Sequence, residues 1–410
     1  MRLLFLTAET CPTFRADVAV LFGKYLPRHG VYSDIVAGRT PGHAGPVEWG
    51  AGETFLCDIS GGRAKRQAKT LLHGIKHLFL ADRARYQAIQ VRDMPVLAAF
   101  GLLAARLKRL PFYYWMSYLV PEGKIELARE RRLSAGLMKF LFPWVSGRVG
   151  RVLLYDVVLP HADHVFVQSE RMRKEMAGRG VASAKMTPVP MGVDIEDIRP
   201  DVLRPADDPR LVGRRVLVYL GTQNRQRRIE ILFEMLALVK KKVPDVLLVL
   251  VGDTENQAHR NWLRQQSVLA GVSENVLWTG WLPIKEGWRY IMASEVGLSP
   301  FPRGFLLDSA SPTKVPEYLA LGIPVVCNDN PDQESVIGIG SRSAGYCVPY
   351  TAEGFADAVL AILNVDDERR KEMRSAGRDY VTQHRDYRML GKKLALHYAD
   401  LLRLPVRGNE

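Results

Sequence analysis

The stretch SASPTKVPEYLALGIPVV, residues 309–326, sets the fold. It reads as a turn of small residues, a short helix over Thr313–Leu321, a stop at Gly322 and a buried strand over Pro324–Cys327. Proline and hydroxyl residues just before a helix, and glycine just after it, are its ordinary start and stop signals. Strands that alternate with helices build a parallel sheet covered on both faces. The helix start also turns unpaired N–H groups and a positive dipole end toward any anion in front of it. Ser311 and Thr313 can donate hydroxyl hydrogen bonds there, and Lys314 adds a positive charge. Glu317, one turn further, can accept two hydrogen bonds from adjacent sugar hydroxyls. The same letters also fit a capping box, with Ser or Thr at the cap and Glu nearby.

Upstream, a series of strands and helices begins at Arg215. Val216–Leu220 and Val246–Val251 read as strands around a helix over Arg228–Val243, and the alternation continues to a last strand at Tyr346–Val348. Helices follow at Ala352–Asn364, Glu368–Gln383 and Arg388–Leu402. The first half repeats the pattern. Leu3–Thr7 is a strand, and Val18, Leu21, Phe22 and Tyr25 recur at helical spacing. Ile35–Ala37, Ala88–Val91, Phe112–Tyr114 and His164–Gln168 are further strands, with a helix over Val96–Leu110. Ile195–Leu211, polar and proline-containing, reads as the linker. The expected fold class is therefore α/β, with two doubly wound units. Ligands are expected at the carboxyl ends of the strands, in a crevice between the units.

A second site feature is YLGTQNRQRR, residues 219–228. Gly221 permits an unusual turn or a close ligand approach. Arg225, Arg227 and Arg228 then crowd the expected start of a helix, where positive charge opposes the dipole unless an anion intervenes. A solvated basic turn is the other reading.

Taken together, the two features resemble the retaining family-4 glycosyltransferases of the GT-B fold, and most closely a subgroup that carries S-P-T-K before the helix. The family glycine and the basic residue six positions later match Gly221 and Arg227. Its Gly-Asp at the next strand end matches Gly252–Asp253, and the second glutamate of its Glu-x7-Glu element matches Glu317. The stretches ADHVFVQSERMRKEM and VPMGVDIEDIRP look like its end-of-first-domain signature. The resemblance implies two Rossmann-like domains facing a central cleft. Residues 1–200 would bind the acceptor, 201–385 would bind the nucleotide sugar, and the helix of 386–410 would pack back on the first domain.

It further implies transfer of a hexose, with retention, from a nucleotide diphosphate sugar to a saccharide acceptor carried on a lipid, in bacterial surface polysaccharide synthesis. Glu317 would bind ribose, and Arg227 with Arg225 would neutralise the diphosphate. Ser311, Thr313 and Lys314 would complete the cradle, with Gly221, Thr222 and Gly252 at the strand ends and Trp281 beside the base. The first glutamate of Glu-x7-Glu falls on Ser309, and Asp308 beside it is the candidate replacement carboxylate. The arginine that the family places after its glycine is here Thr222. Members of this fold generally use no divalent metal, and the sequence has no D-x-D. The expectation is an enzyme with no metal and no cofactor beyond its donor.

Composition is that of an ordinary globular protein, 47% hydrophobic and 25% charged. The formal net charge is +13, yet residues 61–160 alone hold 18 Lys+Arg against 6 Asp+Glu. Basic and apolar residues interleave there, as in KTLLHGIKHLFL, a mixture suited to an anionic membrane surface. A solvated helix face is the alternative, and no nucleic-acid motif accompanies the charge. No apolar run reaches the roughly 18–20 residues of a membrane span, and the N-terminus lacks a cleavage site. The expected location is the cytoplasm, on the inner face of the membrane. Cys11, Cys57, Cys327 and Cys347 are widely spaced and read as free thiols.

On the acceptor side, Tyr113, Trp115, Ser117 and Tyr118 follow a strand end and offer aromatic faces to sugar or lipid, or else fill the core. His73 and His77 share a helix face without the glutamate of a zinc motif, and His161 has no assigned role. Two rival readings remain: a sugar-nucleotide epimerase of the same plan, and a non-catalytic subunit that binds membrane or a partner.

Overall fold

The computed structural model describes residues 1–43, 45–132, 137–337 and 344–403. The chain divides into two units. One comprises Met1–Met191 with the chain from Tyr387 on, and the other comprises Gly192–Asp386.

The first unit is built on seven parallel strands: β1 (Arg2–Cys11), β2 (Tyr32–Arg39), β3 (Thr54–Cys57), β4 (Ala88–Arg92), β5 (Phe112–Met116), β6 (His164–Val167) and β7 (Met186–Pro188). Their order is β3-β2-β1-β4-β5-β6-β7. Leu3 and Phe5 of β1 meet Leu21, Phe22 and Tyr25 of the helix Asp17–Tyr25 in one core. The helix Tyr387–Leu402 completes that core with Tyr387, Leu394 and Tyr398. Gly391 permits the contact: a Cβ there would lie 2.9 Å from Tyr25 Cβ.

The second unit has six parallel strands: β8 (Arg215–Leu220), β9 (Val246–Val251), β10 (Val276–Gly280), β11 (Val296–Ser299), β12 (Val325–Asn328) and β13 (Gly345–Val348). Their order is β10-β9-β8-β11-β12-β13. The two-residue period of a strand shows directly in β8. Leu217 and Tyr219 enter the core on one face, and Val216, Val218 and Leu220 the core on the other. The strand order reverses between β8 and β11, the switch point at which such sheets bind ligands.

Two sequence expectations change. The stretch Ile195–Leu211 is not a free linker: Ile198 is buried in the second unit's core, and Ile195, Leu203 and Leu211 pack against it. Its spaced apolar residues outweigh its prolines, so the unit begins at Gly192 and not at 201. The helix expected from Arg228 starts at Ile231, with Glu230 at its cap. Arg225–Arg227 form a separate single turn, closed by Arg228 in the left-handed region at φ 47°. The dipole argument for these arginines therefore falls away, although their position beyond the carboxyl end of β8 remains.

Candidate active site

The end of β8 is shaped by glycines. Gly221, at φ 139°, donates its N–H to Val251 O at 2.8 Å. Gly252, at φ 117°, donates to Gly280 O at 3.0 Å. The backbones lie so close that a Cβ on Gly252 would sit 2.3 Å from Gly221 O. Positive φ and close approach both call for glycine here.

Lys314, at the start of the helix Lys314–Ala320, lies against this turn. A Cβ on Gly221 would sit 2.8 Å from Lys314 Cε and 3.2 Å from its Nζ. The ammonium is also 5.2 Å from the centroid of the Tyr219 ring. Burial, and next the nearby Arg227 charge, push the Lys314 pKa down to about 7, while Glu317 opposes them. The Arg227 guanidinium stacks over Phe301, 4.5 Å from the ring centroid. Phe301 is fixed in turn by Asn328, which accepts from Phe301 N at 2.7 Å and donates to Phe301 O at 2.9 Å. Two cations thus converge at the switch point.

Glu317, half-buried one turn along the helix, accepts from Trp288 Nε1 at 3.4 Å. Burial raises its pKa, opposed by the Thr313 hydroxyl, the Trp288 indole and Lys314. Tyr318 anchors the helix to the strand ends. Its hydroxyl accepts from Leu220 N at 2.8 Å and donates to Leu298 O at 3.2 Å.

The other expected donor residues divide. Thr222 and Arg225 are exposed beside the Gly221 turn, and the Trp281 side chain is 55% exposed just after Gly280. Ser309 is buried, its hydroxyl donating to Phe305 O at 3.3 Å. Asp308 is held by Arg303 through Nε at 2.9 Å and Nη2 at 3.2 Å, and it also accepts from Gly304 N at 3.2 Å. The Ser311 hydroxyl is engaged inside the protein: it donates to Asp332 Oδ2 at 2.8 Å and accepts from Arg385 Nη1 at 3.3 Å. Arg385 reaches Asp332 Oδ1 at 2.9 Å, closing a buried network behind the loop. Ser311 holds the loop in shape, a correction to its expected hydroxyl contact with the donor.

The first unit places two of the three expected acceptor residues, Trp115 and Ser117, in its interior. Trp115 is 2% exposed, edge-on to Phe22 at 5.0 Å and 5.2 Å from Phe166, so it is core. Strand alternation turns its side chain into the layer beneath the Asp17–Tyr25 helix. Ser117 is also buried, donating its N–H to Asp93 Oδ1 at 2.8 Å and accepting from Arg92 Nη2 at 2.9 Å. Tyr118 is half-buried, and its ring lies where a Cβ on Gly123 would be, 2.6 Å away.

What occupies the ends of β4 and β5 is a charged network that sequence reasoning missed. Buried Arg92 donates to Asp17 Oδ2 at 2.9 Å and to Glu9 Oε1 at 3.0 Å, and Asp93 takes φ 57° beside it. A charged pair ending an apolar strand run, just before Pro95, was the available signal. The histidines have structural partners. His77 stacks on Phe55, 4.5 Å between centroids, and burial followed by His73 and Lys76 pushes its pKa down to about 4. His161 Nδ1 lies 2.8 Å from Val157 O.

Comparison with known proteins agrees with this fold. A family model for glycosyl transferases group 1 matches residues 214–365, and one for a glycosyl transferase 4-like domain matches residues 17–192. The chain is 27% identical over 329 residues to the GDP-mannose-dependent alpha-(1-6)-phosphatidylinositol monomannoside mannosyltransferase of Mycolicibacterium smegmatis, which covers 77% of this chain and 84% of that protein. Among solved structures it is similar in fold to the sucrose-phosphate synthase of Thermosynechococcus elongatus, with TM-score 0.71, 18% identity and coverage of 98% of this chain and 100% of the other. It is likewise similar to Anabaena HepE in complex with UDP, with TM-score 0.69, 14% identity and coverage of 98% and 100%.

Proposed function

Both units of this chain are glycosyl transferase domains in a GT-B fold, and from that premise we propose that the β8–β11 switch point binds a nucleotide diphosphate sugar. The observation that carries this reading is the buried Lys314 ammonium beside Arg227, its pKa pushed down to about 7. Two cations packed together disfavour one another, and a diphosphate carries enough negative charge to offset both. The glycine turn at Gly221 and Gly252 lets that group approach the backbone. Glu317 accepts hydrogen bonds from the ribose hydroxyls, Trp281 lies beside the base, and Arg225 and Thr222 border the diphosphate. Asp308, oriented by Arg303, faces the sugar.

The reaction we propose moves a hexose, with retained configuration, to a saccharide acceptor carried on a lipid, in the building of a bacterial surface polysaccharide. Lys314 and Arg227 stabilise the charge that grows on the leaving diphosphate, so they lower the barrier as well as bind. That charge is met by side chains, and the proposed reaction uses no divalent metal. The mycobacterial relative, named for GDP-mannose and a phosphatidylinositol glycolipid, supports a lipid-borne acceptor, and the reaction we propose takes place on the inner membrane face. No helix among the described residues is long and apolar enough to cross a membrane.

The test is a panel of nucleoside diphosphates, UDP and GDP first, read by thermal shift. One of them is expected to stabilise the protein; silence from the whole panel would sink the reading. With the active nucleotide, Glu317→Ala is expected to weaken binding roughly 10–100-fold, the worth of a charge-assisted pair. Arg227→Ala is expected to lower turnover more than it lowers substrate affinity.

A further inference from the structure

The first unit carries a surface that the proposed chemistry does not use. The helix Pro95–Lys108 packs between the helix Arg63–Leu80 and the helical run Leu137–Arg151 and Val152–Val158. Gly74 marks the first contact, since a Cβ there would lie 2.5 Å from Leu97 Cδ2. The inward faces of amphipathic helices cover a core, and their outward faces are ordinarily polar. Here the outward faces are not. On the middle helix Val96, Phe100, Leu103 and Leu107 are exposed, Leu103 by 51% and Leu107 by 67%. Steps of four, three and four residues place them in one stripe along the helix. Leu141, Val145 and Val152 repeat that stripe on one neighbour, and Leu72 and Phe79 continue it on the other. More than half of the large apolar side chains exposed among the described residues lie on these adjoining helices. Single exposed leucines need no explanation, but a contiguous field does.

Cations stand within the field. Lys65 and Lys76 are exposed on the stripe that carries Leu72 and Phe79. Exposed Arg148 lies between Val145 and Val152, its guanidinium 5.3 Å from the Trp144 ring centroid. The segment 61–160 holds the chain's basic excess, 18 Lys+Arg against 6 Asp+Glu. A protein partner selects a patch whose centre is depleted of charge. Apolar side chains interleaved with cations match the headgroup layer of an anionic bilayer, where the former enter the acyl boundary and the latter meet phosphate.

We propose that this three-helix face docks on an anionic lipid bilayer. The docking deepens the lipid-acceptor reading above, which it rests on only for its purpose.

The full chain is to be floated with vesicles of phosphatidylcholine alone and of phosphatidylcholine with phosphatidylglycerol. Binding is expected to the anionic vesicles, and to weaken steeply at high salt. Leu103→Gln with Leu107→Gln is expected to reduce it at least about tenfold. Lys65→Gln with Lys76→Gln is expected to reduce it roughly twenty-five-fold at low salt, about fivefold for each cation. All four positions are exposed, so thermal unfolding and nucleoside diphosphate affinity should stay at the wild-type values. Absence of flotation overturns the proposal, as does equal flotation with neutral vesicles or flotation indifferent to the leucine changes. A wild-type dimer that the leucine changes dissolve would assign the face to a second copy of the chain and overturn it too. Nucleotide binding measured on the same samples separates this outcome from failure of the donor site.

Discussion

Lys314 ties the chemistry of the site to pH. In the free protein its proton leaves near pH 7, because burial and then Arg227 disfavour the charge more than Glu317 restores it. A bound diphosphate reverses that balance. At about pH 8 nucleotide binding should therefore take up close to one proton, and affinity should fall up to about tenfold per pH unit above 7. Calorimetry in two buffers of different ionisation enthalpy reads the uptake. Arg227→Met should move its midpoint upward. Zero uptake would mean that Lys314 does not face the phosphates. The same group affects the fold. Between about 7 and its ordinary value of 10.5 the unfolded chain holds a proton that the folded chain has released, so its contribution to stability rises with pH across that window. The placement of Lys314 and Glu317 on one short helix was legible in the sequence from its start and stop signals. The role of Ser311 was not, since its partners Asp332 and Arg385 lie 21 and 74 residues away.

At the level of elements, the loop before the helix Lys314–Ala320 is held from behind by a buried ion pair. Arg385 and Asp332 are both nearly inaccessible, and Ser311 of the loop joins them. Removing one partner of such a pair strands the other charge in a poor solvent, at about 3–5 kcal/mol. Arg385→Met should lose that much stability in urea unfolding and should also weaken nucleotide binding, and adding Asp332→Leu should recover much of the stability. A loss under about 1 kcal/mol would show that the loop does not depend on this network. The strands and helices themselves were readable from apolar periodicity, and their ends were not. Trp115 illustrates the limit. An aromatic residue at a strand end points to core or to ligand by parity, and parity needs the register that only the sheet supplies. The Arg92–Asp17 network eluded the sequence for a related reason, because 75 residues separate its members.

Across the whole molecule, each unit owns its cores. A nucleoside diphosphate at a hundred times its dissociation constant should stabilise the unit that binds it by about 2.7 kcal/mol. Amide exchange in β8–β13 should then slow up to about a hundredfold. The slowest amides of β1–β5 should not change, and equal slowing in both units would show that they unfold as one.

The helix Tyr387–Leu402 carries a consequence for how this chain is made. It supplies Tyr398, whose hydroxyl donates to Gln90 Oε1 at 2.5 Å, and it covers Leu21 and Tyr25. A ribosome finishes β7 and then needs roughly 10–40 s, at about 5–20 residues per second, before that helix is translated. Throughout that interval the nascent first unit presents an uncovered apolar face while the second unit is being synthesised. The order of translation therefore makes this enzyme a natural client for chaperones that shield such faces until the helix Tyr387–Leu402 arrives.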